Sequence, residues 1–276
     1  MANQDQIDFW NGEAGERWTE HADALDQMLS PFIPAVLSAA RLKPGEQVLD
    51  VGCGAGALTM AAAAATGAAH GVDVSKPLIG LARKRADESA SPARFDIADA
   101  SAWRPEAPMD VLVSRFGVMF FDEPVAAFQN LAQAIAPGGR LAFACWRSLA
   151  ENEWVSVPLG AILPMLPEPP APPPPGAPGP FAFGDRVRVE DILDEAGWTN
   201  IVVEPWDGAI APPGRTVAET ARFMLEIGPL GRLIAEAELE TDPVLARVAE
   251  VLEGMAGGDG DVAMNGAAWI VQASRP

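Results

Sequence analysis

The sequence predicts an α/β protein with a doubly wound parallel sheet. Short apolar runs rich in valine, such as QVLDV at 47–51 and MDVLVS at 109–114, alternate with segments whose apolar residues have helical spacing. A glycine-rich turn follows the first of these runs, and acidic residues stand where several of the runs end. Because strands that alternate with helices need crossover connections, the strands should pair in parallel, with helices on both faces of the sheet.

The composition fits one elaborated domain over 1–276 with a substantial apolar core. The chain has 276 residues, of which 49% are hydrophobic and 21% are charged. Its 19 basic and 38 acidic residues give a net charge of −19, which would repel phosphate backbones, so we expect no nucleic-acid partner. No apolar run approaches the ~20 residues of a membrane span, and the polar N-terminus does not resemble a signal peptide. We therefore expect a cytoplasmic protein that does not bind membranes.

Cysteine and histidine are scarce in this chain. Cys53 and Cys145 both stand in apolar, strand-like contexts, and the two histidines lie far apart in the sequence. Two cysteines cannot form a disulfide framework, and no spacing typical of metal ligands occurs. The sequence therefore predicts no metal site.

The first half of the chain divides into a helical cover at 1–43 and a strand-rich region at 44–149. Apolar residues with helical spacing predict the N-terminal helices, and the turn signal KPGE ends them. Gly67 predicts the end of a helix over 58–66, and Ser75 is a candidate cap for a helix that ends near residue 88. A third helix is predicted over 124–136. The predicted strands are QVLDV, AHGVDV, ARFDIA, MDVLVS and PGGRLAFACW.

The second half begins with a proline-rich stretch that we predict to be an extended connector or lid, within 150–185. Ten of the seventeen residues from 164 to 180 are proline, a composition that excludes a helix or an inner strand. Residues 186–276 should complete the sheet, with a helical insertion at 215–256. The remaining predicted elements are a helix in VRVEDILDEAGW, a strand in TNIVVEPW, helices over 217–239 and 244–255, and a terminal strand in AAWIVQASR.

The turn GCGAGA indicates a ligand-binding site. Gly52, Gly54 and Gly56 let the backbone approach a ligand closely, and the amides that open the following helix favour an anion. With Ala57 the same residues also fit the dinucleotide pattern G-x-G-x-x-A. The turn has no lysine of the type that holds nucleoside triphosphates, so that class is excluded.

Three acids stand near the ends of successive predicted strands. Asp50 comes two residues before the first glycine of the turn, Asp73 ends the second strand, and Asp99 follows the third. Each could be an ordinary cap or turn residue. Because the carboxyl ends of parallel strands meet at one edge of the sheet, their joint placement instead favours a single binding crevice.

These residues resemble the class I S-adenosylmethionine-dependent methyltransferases. VLDVGCGAG is similar to the first motif of that family, GVDVS to its ribose-binding acid, IADA to its adenine site, and APGGRL to the turn before its fifth strand. The resemblance implies a Rossmann-like seven-stranded sheet in the order 3-2-1-4-5-7-6, with the last strand antiparallel. The N-terminal helices, SRFGVMFF and the helical insertion are similar to small-molecule methyltransferases related to ubiquinone-biosynthesis enzymes.

The resemblance implies S-adenosyl-L-methionine as cofactor. Its carboxylate could meet the amides of the glycine turn, and its ammonium could meet Asp50. Its sulfonium favours aromatic faces, for which Trp10, Trp18 and Phe116 are candidates, although ordinary core packing would also explain those aromatic residues. The predicted cofactor-binding residues are Trp10, Trp18, Asp50, Gly52, Cys53, Gly54, Gly56, Asp73, Val74, Asp99, Ala100, Ser114 and Phe116.

The acceptor is predicted to be a small molecule, with His21 and Arg115 as the candidate catalytic residues. Methylation at oxygen is favoured, and nitrogen and carbon stay open. Arg115 follows the fourth strand and could clamp an acidic acceptor, or it could form a salt bridge to an acid of the N-terminal segment. The chain has no tyrosine, so His21 is the candidate base, and a structural role is the alternative for it. His70 is predicted to be structural.

Two other functions remain open at the level of sequence. G-x-G-x-x-A together with Asp73 would also suit an NAD-dependent oxidoreductase, although no hydride-transfer set is apparent. The chain could also be a non-catalytic module that keeps the cofactor fold for binding. The sequence does not predict the oligomeric state.

Overall fold

The computed structural model describes residues 3–171, 174, 176–214, 216–227, 229–257 and 262–276. These residues form a seven-stranded sheet in the order β3-β2-β1-β4-β5-β7-β6. Strands β1 to β5 are parallel, and β7 runs antiparallel to both of its neighbours. The predicted fold class and strand order are confirmed. The strands are β1 Val48–Val51, β2 Ala69–Asp73, β3 Arg94–Ile97, β4 Met109–Arg115, β5 Ile135–Trp146, β6 Thr199–Ile210 and β7 Met264–Ser274.

Helices cover both faces of the sheet and its carboxyl edge. They are α1 Gln4–Asn11, α2 Glu13–Glu20, α3 Ala22–Met28, α4 Phe32–Ala40, α5 Ala57–Thr66, α6 Lys76–Glu88, α7 Pro124–Ala134, α8 Glu153–Ile162, α9 Arg186–Glu195, α10 Val217–Ile227, α11 Pro229–Glu236 and α12 Thr241–Glu253. Within the described part of the chain, no helix is both long enough and apolar enough to cross a membrane.

The central strands are apolar because both of their faces are covered. All four residues of β1 are buried, and so are the middle residues of β4 and the second half of β5. Parallel strands buried on both faces read as continuous apolar runs rather than as alternating patterns. This explains why the strands were recognisable in the sequence.

The helix ends follow from local chemistry. The Ser75 hydroxyl accepts a hydrogen bond from the Leu78 amide at 3.4 Å and caps α6, as predicted. Gly67, with φ 94°, ends α5. Helix α7 ends at Ala134, two residues before the predicted end. Because Pro137 disfavours helical backbone in the residue before it, the chain is already extended there and enters β5.

The predicted connector at 150–185 contains a helix that was not predicted, because prolines are frequent in this part of the sequence. Helix α8 occupies its first part and buries Val155, Pro158, Ala161 and Ile162. The described residues between 166 and 185 have no regular helix or strand, whereas residues 172, 173 and 175 lie outside the described residues. The connector therefore begins after α8. The helical pattern at 217–239 corresponds to two helices, α10 and α11.

Candidate active site

A cavity of about 480 Å³ lies over the carboxyl ends of the parallel strands. It is centred between β1 and β4, where the strand order reverses, and helices α1 to α3 cover it. Open α/β sheets bind ligands at this position, because adjacent crossovers leave in opposite directions and open a crevice. The volume falls in the usual range for small-ligand sites.

The glycine turn after β1 is packed on one side and open on the other. A Cβ on Gly52 would lie 2.6 Å from Gly117 Cα, so the turn touches the backbone that follows β4. Ser114 is fully buried behind this contact, where its hydroxyl donates to Val51 O at 2.7 Å. A Cβ on Gly54, with φ 53°, would meet nothing within 4 Å. The open side of the turn therefore faces the cavity, whereas Ser114 supports the turn without lining it.

Asp73 fixes the glycine turn to the end of β2. Its Oδ2 accepts a hydrogen bond from the Gly54 amide at 2.9 Å, and its Oδ1 accepts one from the Ser75 amide at 2.8 Å. Burial raises the pKa of this carboxyl, and the two amide hydrogen bonds oppose that shift. Each oxygen keeps a further lone pair, so Asp73 can still accept hydrogen bonds from a ligand.

Asp50 carries an unsatisfied buried oxygen at the cavity. The residue is 1% exposed, and its Oδ2 accepts a hydrogen bond from the Thr59 hydroxyl at 2.6 Å. Its Oδ1 has no hydrogen-bond partner. Burial raises the pKa of Asp50 to about 7, and the nearby carboxylate of Asp73 adds to the shift, whereas Thr59 and the positive charge of Arg115 oppose it. A buried acid of this kind is completed by a donor or a cation from a ligand.

Asp99 is bridged to the N-terminal segment. Its Oδ1 accepts hydrogen bonds from the Ser101 amide at 2.9 Å and from Asn3 Nδ2 at 3.1 Å. The buried Asn3 also exchanges two hydrogen bonds with Asp122, through its amide and its side-chain oxygen. Asn3 was not predicted as a site residue, since nothing in the sequence relates it to residues near 99 and 122.

Two groups of aromatic rings border the cavity. Trp10 makes edge-on contacts with Phe9, Trp18 and Phe120, at centroid distances of 5.3 to 5.5 Å. Phe116 stacks on Trp146 at 4.0 Å, with the ring planes 11° apart. Phe116 has φ 62°, a left-handed conformation that is costly for a bulky residue, and such strain concentrates at functional sites.

Of the other predicted cofactor residues, some line the cavity and one does not. Cys53, Val74 and Ala100 line the cavity together with the acids and aromatic residues above. Gly56 does not line it. A Cβ there would lie 2.8 Å from the Phe95 ring, so Gly56 allows the start of α5 to pack closely against β3.

Arg115 lines the cavity and pairs with an acid of the N-terminal cover. Its Nη2 donates to Asp26 Oδ1 at 2.6 Å, whereas Arg85 Nη1 donates to Asp26 Oδ2 at 2.8 Å. The salt bridge to an N-terminal acid, one of the two alternatives for Arg115, is therefore present. Asp26 and Arg85 were not singled out, because their pairing depends on how the cover folds over the sheet.

His21 is not among the residues that line the cavity. Its Nε2 lies 3.1 Å from Glu226 Oε2, and its ring packs edge-on against Phe223 at 5.7 Å. Its imidazole thus joins the cover to α10, and its role as a base stays a prediction. His70 pairs with Asp96 at 2.9 Å, away from the cavity.

Comparison with known proteins agrees with the geometry. Residues 48–139 match a methyltransferase domain family. An uncharacterized protein of Mycobacterium tuberculosis is 27% identical over 128 residues, which are 46% of this chain and 47% of that protein. The ubiquinone biosynthesis O-methyltransferase of Methylococcus capsulatus is 30% identical over 161 residues, 57% of this chain and 65% of that enzyme. The matched segment spans about half the length of the first of these curated relatives.

A solved structure shares the fold over nearly the whole length. The magnesium protoporphyrin IX methyltransferase of Synechocystis, with bound S-adenosylhomocysteine, superposes with a TM-score of 0.56 and 17% sequence identity. The superposition covers 99% of this chain and 99% of that enzyme. Residues 48–139 thus match a methyltransferase domain, and the strand order is the one implied by the resemblance to class I S-adenosylmethionine-dependent methyltransferases.

Proposed function

We propose that this protein transfers a methyl group from S-adenosyl-L-methionine to an oxygen atom of a small-molecule acceptor. The observation that carries the proposal is the unpartnered Oδ1 of Asp50 beside the open glycine turn. A buried carboxyl that lacks a partner suits the ammonium of an amino-acid ligand. Bound S-adenosyl-L-methionine supplies a methyl group that is already activated on a sulfonium.

The residues around the turn fit this cofactor along its length. The open side of Gly54 admits the cofactor carboxylate to the backbone amides, and Asp50 would meet the ammonium. Asp73 has lone pairs for the ribose hydroxyls, and Asp99 for the adenine amine. An NAD pyrophosphate would instead have to lie beside the carboxyl group of Asp50. Repulsion between the phosphates and the carboxylate form of Asp50 disfavours the oxidoreductase alternative.

The chain's own contribution to the transfer is positioning and the exclusion of water. The cover closes the cavity with apolar side chains, and Arg115 is placed to hold an anionic acceptor. The lining contains no histidine or lysine among the described residues, and the carboxyl groups of Asp50, Asp73 and Asp99 are assigned to the cofactor, so the proposal uses no protein base. Methylation at oxygen is also the reaction named for the Methylococcus relative.

Calorimetric titration with S-adenosylhomocysteine tests this function. The wild-type protein should bind it, and Asp73→Ala should weaken binding at least about tenfold, because two charge-assisted hydrogen bonds of ~1.5–3 kcal/mol each are lost. Asp96→Ala removes a carboxylate outside the cavity and should leave the affinity unchanged. Binding of NAD in place of S-adenosylhomocysteine would overturn the proposal.

A further inference from the structure

The cavity extends beyond the cofactor residues toward the ends of β4 and β5. Phe116 borders both parts, and beyond it lie Trp146 at the end of β5 and Trp154 on α8. We call this part the aromatic pocket. Apolar residues from separate segments also line the cavity: Met28, Leu29, Met119, Pro178, Pro180 and Ile227.

The rings of the aromatic pocket are held in place before any ligand binds. Phe32 packs edge-on against the stacked rings of Phe116 and Trp146, at 4.7 and 5.3 Å. Trp154 lies 5.1 Å from Trp146, and its Nε1 donates to Asn152 Oδ1 at 3.2 Å. Asn152 is fully buried and exchanges hydrogen bonds with the backbone of β7. The pocket therefore offers preorganised, flat apolar surfaces.

The aromatic pocket has few polar groups to offer. Among the described residues, the fully buried side-chain polar atoms without a partner are Asp50 Oδ1 and Arg147 Nε, and neither belongs to this pocket. A site built to hydrogen-bond a polar substrate has buried polar groups that are left unpaired without it. The pocket is thus suited to recognition by shape and apolar contact.

One charge is available where the aromatic pocket meets the cofactor site. Arg115 is the only cation among the described residues that line the cavity, and it shares the carboxylate of Asp26 with Arg85. Asp23 also pairs with Arg85, but its side chain is 99% exposed, so water screens it. Two guanidinium groups share the one partly buried carboxylate of Asp26, and in the proposed function the cofactor ammonium offsets the nearby carboxylate of Asp50. Positive charge therefore remains at Arg115, where it stabilises an anion.

We propose, on the basis of the proposed function, that the acceptor is a planar aromatic acid. Its ring would lie in the aromatic pocket, and its oxygen would be held as the anion at Arg115. The acid loses its proton to solvent, so no protein base is needed. The acceptor oxygen then supplies the electron pair for the new O–CH₃ bond, while the C–S bond breaks and its electron pair stays on sulfur. The products are a methyl ester or ether and S-adenosylhomocysteine.

Binding of three probes to the protein saturated with S-adenosylhomocysteine tests the proposal by calorimetry. The probes are 2-naphthoate, 2-naphthamide, which keeps the ring but lacks the charge, and decanoate, which keeps the charge but lacks the ring. We expect 2-naphthoate to bind at least about tenfold more tightly than either of the others, since ring contact and a charged hydrogen bond each contribute at that scale. Affinity for 2-naphthoate no greater than that for either of the other two probes, or no binding of 2-naphthoate, would overturn it.

Variants separate the two contacts. Trp154→Leu should weaken 2-naphthoate about tenfold, whereas Trp103→Leu, outside the cavity, should not. Arg115→Met should abolish the preference for 2-naphthoate over 2-naphthamide. If Trp154→Leu does not fold, the affinities of the three probes for the wild-type protein still test the proposal. Failure to bind S-adenosylhomocysteine at all would count against the proposed function, whereas its binding without 2-naphthoate would count against this inference alone.

Discussion

At the scale of the residue, the protonation state of Asp50 links the site to pH. Its carboxyl has a pKa of about 7 instead of 3.8, because burial disfavours the charge. In the proposed function the cofactor ammonium meets the carboxylate form of Asp50, so binding below pH 7 would release a proton. Asp73, Arg115 and Cys53 also line the cavity near Asp50. A ligand ammonium would therefore compete with a proton for the carboxyl group of Asp50.

We expect the affinity for S-adenosylhomocysteine to fall by up to about tenfold per pH unit below pH 7, because each molecule bound displaces one proton. Calorimetry between pH 5.5 and 8 measures this dependence, and buffers of different ionisation enthalpy count the proton. Asp50→Asn should bind more weakly, without that dependence. A flat profile for the wild-type protein would rule out the coupling.

The same shift affects stability with a defined sign. Between pH 3.8 and about 7 the folded protein holds a proton on Asp50 that the unfolded chain has released. The contribution of Asp50 to the free energy of unfolding therefore decreases as the pH rises through that range. Burial raises the pKa of Asp73 in the same direction, so its contribution has the same sign.

Single residues could be predicted where local chemistry decides their role. The glycines and the acids at strand ends were identifiable because each follows an apolar run at a fixed offset. Asn3, Asp26 and the Glu226 partner of His21 were not, because they act through contacts between segments far apart in the chain. Such contacts depend on the path of the cover, which local patterns do not specify.

At the scale of the element, helix α5 has a glycine with positive φ on each side, and only one of the two faces the cavity. Gly54 and Gly67 both have positive φ, 53° and 94°, and a Cβ on either would meet open space. Gly54 faces the cavity, whereas Gly67 only ends α5. The two positions therefore form a matched pair.

Alanine at either position should lower the free energy of unfolding by about 1–2 kcal/mol, since both residues are left-handed. Only Gly54→Ala should also weaken S-adenosylhomocysteine, by about tenfold or more, because its methyl group enters the space where the cofactor approaches the amides. Chemical denaturation and calorimetry measure the two effects. Normal binding by Gly54→Ala would mean that the turn does not hold the cofactor.

Elements were predictable from the sequence to the extent that their signals are local. Ser75 and Gly67 marked helix ends correctly, and the buried strands appeared as apolar runs. The sequence did not distinguish helix α8 from the proline-rich connector, because Pro158 lies inside the helix. Its apolar face packs against α12 and β7, and this tertiary contact stabilises a helix that a proline would otherwise weaken.

At the scale of the whole molecule, polar contacts tie the cover to the sheet at several places, and three of these contacts involve residues that line the cavity. Asn3 joins it to Asp99, the Asn11 side chain donates to Val74 O at 2.9 Å, and Asp26 joins it to Arg115. Water can replace such contacts more readily than it can replace core packing. The strand order was implied by the family resemblance, and a salt bridge from Arg115 to an N-terminal acid was one of the two alternatives for that residue. Nothing in the sequence indicated Asp26 as the partner, or the contacts of Asn3 and Asn11.

The proline-rich connector should tolerate replacement outside its contact with the cavity. The Gly179 amide donates to Met119 O at 3.1 Å, and residues 178–180 line the cavity. We expect a glycine–serine linker of equal length at 167–176 to leave the thermal midpoint and the affinity for S-adenosylhomocysteine unchanged, because connectors of this kind act as spacers. Global unfolding of this variant would show that the segment is part of the core.

The placement of the tryptophans has a spectroscopic consequence. The chain has eight tryptophans and no tyrosine, so its ultraviolet emission comes almost entirely from indole. Four of them, Trp10, Trp18, Trp146 and Trp154, line the cavity. An adenine ring or an aromatic acid that enters the cavity will lie close to these emitters and change their intensity. The protein thus carries its own optical reporter of occupancy.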